Sequence, residues 1–245
     1  MTDIISGYIA TGVYLGIALV LCLIAGRIKQ LGKELPRKII HIMAGFGWII
    51  YKVYMEGTIH PIFISSSFVV MAGLSKATDF LKIEREKRNN AIFFFTGIMA
   101  ILSIISYIFP TCFDAFGATM ICLSAGDGMA ALIGRHFGKH KWTKTTPKTI
   151  EGSVAGVICA FVSLSIITTI FQMKIGITGA LLLSILTAVI EILSDEYDNI
   201  AIPAGIFVTA QALITYGWNI GLVLTVIASV LLAKGMGALV KKSVE

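Results

Sequence analysis

The chain has 245 residues, 56% of them hydrophobic and 14% charged, with a net charge of +6 and a mean hydropathy of +0.87. A soluble domain carries about 25% charged residues, so the composition excludes an ordinary soluble protein and points to a polytopic membrane protein. The scattered cysteines Cys22, Cys112, Cys122 and Cys159 form no CxxC pair and are expected as small packing residues, not zinc ligands or disulfide partners.

Nine apolar segments are predicted: 4–26, 39–55, 59–74, 91–110, 113–134, 152–173, 176–194, 200–216 and 218–234. A spanning helix needs about 20 apolar residues. Residues 4–26, 91–113, 152–173 and 217–233 carry no charge at all. The first segment lacks a basic flank, so it is expected as a span and not as a signal peptide. With the N-terminus outside, the inner loops 27–38, 75–90 and 135–151 each hold five Lys or Arg, and the tail adds Lys234, Lys241 and Lys242. That places 18 of the 20 basic residues on one side, leaving Lys52 and Lys174 outside, as the positive-inside rule favours. The expected fold is therefore all-α: one membrane domain over 1–245, a polytopic bundle of about nine transmembrane helices with a cytoplasmic C-terminus. In a prokaryote it would sit in the cell membrane. The positive charge is then an inward-facing, headgroup-attracting surface and not a nucleic-acid signal. The oligomeric state is not legible.

Ionisable residues inside membrane segments are costly and mark candidate sites. In chain order the first is "ELPRKIIHIMAG". Arg37 and Lys38 lie four and three residues before His41, so all three can line one side of a helix start. His41 is either a structural hydrogen-bonder or part of an anion site. Next is "SAGDGMAALIGRHFGKHKW". Gly126, Gly128, Gly134 and Gly138 surround Asp127 and Arg135. These small residues suit either close helix packing or clearance for phosphate. Asp127 falls near the inner face, where a hydrated Mg²⁺ can reach it.

The stretch "KWTKTTPKTIEGS" combines Lys139, Lys144, Lys148, Thr149, Glu151 and Gly152. It is either a solvated loop or, over 135–151, a cytoplasmic nucleotide-binding loop. It is not a P-loop, since no GxxxxGK[ST] precedes a helix. Last comes "EILSDEYDNIAIPAG", with an acidic loop over 195–199. On a continued helix Glu191, Asp195 and Asp198 would share a face. Asp198 or Asn199 could instead cap the next helix, with Pro203 near its first turn. The functional reading is a second carboxylate group for a metal, or a base for an attacking hydroxyl.

Together these stretches resemble the CTP-dependent lipid-alcohol kinases: dolichol kinase, phytol and related polyprenol kinases, and the fungal CTP-dependent diacylglycerol kinase. The family's RKxxH is matched by Arg37, Lys38 and His41. Its GD-small-x-A stretch with spaced glycines is matched by Gly126, Asp127, Ala130 or Ala131, Gly134 and Gly138. Its K-T-x-E-G-S/T is matched by Lys148, Thr149, Glu151, Gly152 and Ser153, and its E…D-N-x-x-I/V-P by Glu191, Asp198, Asn199 and Pro203. The middle stretch is also similar to phosphatidate cytidylyltransferases, but Pro147-Lys148-Thr149 lacks their doubled lysine, and "EILSDEYDN" stands where their long basic signature would be. Those departures favour a kinase.

The resemblance implies CTP as donor, Mg²⁺ or Mn²⁺, and a membrane lipid alcohol (dolichol, polyprenol, phytol-like or diacylglycerol) as acceptor at the cytoplasmic face. It implies catalytic roles among Asp127, Glu191, Asp195 and Asp198, with Asp195 or Asp198 orienting the hydroxyl. Metal would fall to Asp127 with Asp198 or Glu151. Nucleotide and phosphate contacts would fall to Arg37, Lys38, His41, Gly126, Gly128, Gly134, Arg135, Gly138, Lys139, Lys144, Lys148, Thr149, Glu151, Gly152 and Asn199. The rival readings are a cytidylyltransferase making a CDP-lipid, and an ion-coupled transporter. Transporters place such groups near mid-membrane in related halves, whereas here they gather towards one face without a clear repeat.

Overall fold

The computed structural model describes residues 2–27, 34–78, 91–143, 146–194 and 197–244. Among these the protein is all helix, without a strand beyond one isolated bridge. In order the helices are α1 (Thr2–Arg27), α2 (Glu34–Phe46), α3 (Trp48–Tyr54), α4 (His60–Thr78), α5 (Ala91–Ile108), α6 (Phe113–Ile121), α7 (Gly128–Phe137), α8 (Ile150–Ile170), α9 (Gly176–Ser194), α10 (Asp198–Tyr216) and α11 (Ile220–Val244). Among the described residues six stretches are long and apolar enough to cross a bilayer: Asp3–Arg27, Pro110–Phe137, Ile150–Ile170, Gly176–Ser194, Asp198–Tyr216 and Ile220–Ala238. The protein is thus an integral, multi-pass membrane protein. Two of the other predicted segments form the shorter apolar helices His60–Leu74 and Phe93–Ile108. Only Gly47 separates α2 from α3, and its backbone stays helical (φ −56°, ψ −22°) with its N–H donating to the Met43 carbonyl at 3.0 Å, so the segment 39–55 runs as one nearly continuous helix.

The centre of the bundle is Pro110–Phe137, by far the most enclosed span. It begins with a 3-10 turn at Pro110–Cys112, continues as α6, widens into a turn of π-helix at Cys122–Asp127, and resumes as α7. Around it pack α2, α8, α9 and α10. Its residues Phe116, Met120 and Leu123 meet Trp48, Leu164, Leu183, Ile190 and Ile202 in the apolar core. Gly117 is the socket for Trp48: a Cβ there would stand 2.3 Å from the indole. The indole N–H donates to the Phe113 carbonyl at 3.2 Å. Outside this centre, side chains such as Leu19, Ile158, Ile166 and Leu224 remain exposed, as a lipid-facing surface requires.

The glycines around Asp127 are packing positions. A Cβ on Gly152 would lie 2.6 Å from the Ala130 carbonyl oxygen and 2.9 Å from the Gly134 Cα, so α7 and α8 touch backbone to backbone. A Cβ on Gly128 would meet Ile42 of α2 at 2.6 Å, and one on Gly126 would meet Thr187 of α9 at 2.9 Å. Small residues let membrane helices approach this closely. The approach brings α2, α7, α8 and α9 together around one carboxylate.

Candidate active site

That carboxylate is Asp127, at the end of the π turn and buried at 3% exposure. π turns widen a helix locally and recur at functional sites. The Lys38 ammonium donates to Asp127 Oδ2 at 2.6 Å, and His41 Nε2 lies 3.5 Å from the same oxygen. Two further contacts hold α2 against the π turn: His41 Nε2 to the Leu123 carbonyl at 3.3 Å, and the Ser124 hydroxyl donating to the His41 carbonyl at 3.2 Å. Gly45 makes room, since a Cβ there would collide with Ser124. A charge this deep is tolerable because its partner is within hydrogen-bond reach.

A second group faces the first. Lys148 Nζ lies 3.4 Å from Asp198 Oδ2 and 3.9 Å from Glu191 Oε1, and it donates to the Glu191 backbone carbonyl. The last carbonyls of a helix lack intrahelical donors, and a cation there also meets the negative end of the helix dipole. Lys148 therefore anchors the C-terminal turn of α9 as well as its carboxylates. The two groups share one field: Lys148 acts on Asp127, and Glu191 feels Lys148, Asp127, Asp198 and Lys38.

The loop between α7 and α8 delivers Lys148. Trp142 N–H donates to the Lys148 carbonyl at 3.2 Å, and Ile150 N–H to the His140 carbonyl at 2.8 Å. Thr149 caps α8 by accepting from Gly152 N–H at 3.2 Å, a contact worth about 1 kcal/mol in typical helices. Glu151 grips His140, through Nδ1 at 2.6 Å and the backbone N–H at 3.2 Å. The Trp142 indole N–H donates to Ser153 Oγ at 3.0 Å.

Beside the first group is a cavity of about 110 Å³ whose polar wall is Arg37, Lys38, His41 and Asn199 and whose remaining wall is chiefly apolar.

The chain matches the family model described as the cytidylyltransferase family over residues 4–196. The chain belongs to the cytidylyltransferase family. Among curated proteins it is 41% identical over 96 residues to a dolichol kinase of Schizosaccharomyces pombe, covering 38% of this chain and 19% of that one. It is 27% identical over 161 residues to the dolichol kinase of Saccharomyces cerevisiae, covering 62% and 30%. It is 26% identical over 221 residues to the phytol kinase of a Synechocystis species, covering 84% and 91%. The matched part is under a third of the length of those two dolichol kinases. No solved structure matches the chain. These relatives bear out the resemblance to the polyprenol kinases seen in the motifs.

Of the residues singled out in the sequence of this family member, the structure brings Lys38, His41, Asp127, Lys148, Glu191 and Asp198 together, with Arg37 and Asn199 on the adjoining cavity wall. Lys139 and Arg135 are exposed. Lys144 and Asp195 lie outside the described residues. Gly126, Gly128, Gly134, Gly138 and Gly152 meet neighbouring protein atoms, the packing alternative. Thr149 and Glu151 shape the loop. The helix does not continue from Glu191 to Asp198: α9 ends at Ser194 and α10 starts at Asp198, so the two carboxylates meet through Lys148. Pro203 is the sixth residue of α10, just past its first turn. Ser124 and the Glu191 carbonyl were missed, because a hydroxyl or a backbone oxygen inside an apolar run leaves no charge signal.

Among the described residues no three His, Cys, Asp or Glu side chains form a group able to hold a metal by themselves. The local donors Asp127, Glu191 and Asp198 are nevertheless all carboxylates. Magnesium typically takes one or two of these with substrate phosphates and water, so the donor chemistry fits a metal that arrives with a nucleotide. Glu151, engaged by His140, is the least suited of the three expected ligands.

Proposed function

We propose that the protein transfers the terminal phosphoryl group of CTP to the hydroxyl of a membrane lipid alcohol, with Mg²⁺ or Mn²⁺, at the cytoplasmic face. The observation that carries this reading is a largely apolar cavity walled by Lys38, which the buried Asp127 holds, and by Asn199, whose neighbour Asp198 pairs with Lys148: phosphate-binding cations at the polar end of space for a lipid. The names of the dolichol and phytol kinase relatives support the same chemistry. The distribution of Lys and Arg supports nine crossings, counting α2 with α3 as one, with the N-terminus outside and the site inside.

Phosphoryl transfer asks mainly for positioning and charge neutralisation. Lys148, presented by the loop 135–151, and Lys38 neutralise the phosphates. Their carboxylate partners keep both ammoniums in place before the nucleotide arrives. The lipid oxygen attacks the γ-phosphorus, the bond from that phosphorus to the β–γ bridging oxygen breaks, and CDP leaves. Asp198 takes the hydroxyl proton. Asp127 and Glu191 would hold the metal, which shields phosphate charge when bound.

The family's name favours one other reading, in which a lipid phosphate attacks the α-phosphorus and pyrophosphate leaves. Purified protein with α- and γ-labelled CTP separates the two. The kinase reading expects γ-label in the lipid and none from the α position; α-label in the lipid without γ-label would sink it.

A further inference from the structure

Resting on the kinase reading, we infer that the lipid acceptor enters sideways through the cleft between the α1–α2 pair and the α4–α5 pair, and that Asn199 Oδ1 receives its hydroxyl. Helix α1 packs on α2, and α4 on α5; between the two pairs the backbones stay apart, and the His41 ring of α2 stacks on Phe95 of α5 with centroids 4.2 Å apart. The cavity fills this gap. Its apolar wall comes from Leu15 and Ala18 of α1, Phe68 of α4, and Phe95 and Met99 of α5. Its polar wall is the Arg37, Lys38, His41 and Asn199 group. An amphiphile with a long tail and one polar end matches that gradient.

The cleft is closed at one end. The Tyr8 hydroxyl and His60 Nδ1 are hydrogen-bonded at 2.8 Å, tying α1 to the start of α4. Tyr8 stands ten residues before Ala18, or about 15 Å along a helix. The tie therefore leaves as the entrance the half lined by Leu15 and Ala18, where the His41–Phe95 ring pair forms part of the wall. Along that half α1 offers the bilayer its exposed flank at Leu19 and Leu23, so a tail can remain in lipid while the head reaches the site. The volume also fits. A dry cavity of about 150 Å³ accepts a benzene, so one of about 110 Å³ takes the first few carbons of a single chain in file.

Asn199 is set to meet a hydroxyl. Its Nδ2 donates to Asp198 Oδ1 at 3.2 Å, and its backbone N–H to the same oxygen at 2.8 Å. An ionised carboxylate only accepts, so this contact fixes the amide with its NH₂ towards Asp198. The other atom, Oδ1, is buried with no hydrogen-bond partner among the described residues. A buried acceptor without a donor is costly, and a hydroxyl in the cavity removes that cost. Asn199 is thus a positioning residue. It sits between the cavity and Asp198, so the hydroxyl it holds lies next to the proton acceptor.

The test uses the full-length protein in nanodiscs with geranylgeraniol and γ-labelled CTP. Ala18→Trp narrows the cleft and should raise the KM for the alcohol about tenfold or more, the equivalent of about 1.4 kcal/mol, while CTP affinity is unchanged. Ile158→Trp, an exposed position on α8, should change neither. Asn199→Ala should lower kcat with the KM for CTP unchanged, and Asn199→Gln should restore part of it. Independently of turnover, a diazirine-bearing prenol should label α1, α4 and α5 peptides of the wild type. Labelling confined to other helices, or wild-type constants in both Ala18→Trp and Asn199→Ala, overturns the inference. A wild type that passes no γ-label to any alcohol sinks the kinase reading instead, and the labelling pattern still decides the cleft.

Discussion

Two charged clusters sit roughly 13 residues apart on the same two chain segments, about 20 Å along a helix, and they differ in kind. One joins Lys52 to Glu56 at 2.6 Å and to Asp114 at 2.9 Å. The other joins Lys38 to Asp127 and Lys148 to Glu191 and Asp198. In the first, the side chains of Glu56 and Asp114 are 46% and 26% exposed; in the second, those of Lys38 and Asp127 are 8% and 5% exposed. The first ties α3 to the start of α6 with its carboxylates open to solvent, and is complete in itself. The second draws on α2, the π turn, α9, α10 and a loop, and adjoins a cavity. Burying charges needs a compensating reason, and the deep cluster has one in chemistry, where the rim cluster needs only solvent and a neighbour.

The largest effect should come from breaking the deep pair. Asp127→Asn should cut lipid phosphorylation by at least about 100-fold, the scale for loss of a preorganised charged group. Lys38→Met alone should also destabilise the protein by about 3–5 kcal/mol, because it strands a buried carboxylate. The double variant Lys38→Met with Asp127→Asn should regain much of that stability, measured by thermal unfolding in detergent, while activity stays lost. Recovery of activity along with stability would mean that the pair is only structural.

Lys148 comes next. Lys148→Met should raise the KM for CTP and loosen the end of α9, which hydrogen exchange at 191–194 would report. Lys148→Arg should keep the charge but fit the Glu191 carbonyl poorly, giving a smaller loss. Gly152→Ala should act without touching charge at all. Its Cβ has no room beside the Ala130 carbonyl, so an overpacking cost of about 1–3 kcal/mol is expected, read as a lower unfolding temperature. A normal unfolding temperature would count against the backbone contact of α7 with α8.

The bundle was largely legible in the sequence because apolar length is a local property: each of the nine runs became helix. The seating of Trp48 in the Gly117 socket was not, since the two residues lie on different helices. The site was legible by residue type but not by pairing. Lys38 and Asp127 lie 89 positions apart, and Lys148 and Glu191 43 apart, so no spacing rule links them. The shared helix face predicted for Glu191 and Asp198 does not form, because α9 stops at Ser194; Lys148 makes the junction instead. Glu151 shows the converse. The family resemblance made it a candidate ligand, yet its oxygens are taken by His140 eleven residues before it.

The rim cluster supplies the smallest prediction and the sharpest contrast. Lys52→Met removes the cation from Glu56 and Asp114, but both carboxylates keep access to water. Exposed pairs contribute about 0–1 kcal/mol, so the unfolding temperature should shift slightly and phosphorylation not at all. Salt should mute even that shift, since screening acts on exposed charges more than on buried ones. If Lys52→Met instead abolished activity, the division between a solvent-satisfied rim and a working interior would be wrong, and α3 would have to carry a function that its surroundings do not suggest. The matched experiment is therefore Lys52→Met beside Lys38→Met in one assay: the same chemical change on the same α2–α3 segment, differing in burial and in what lies beside it.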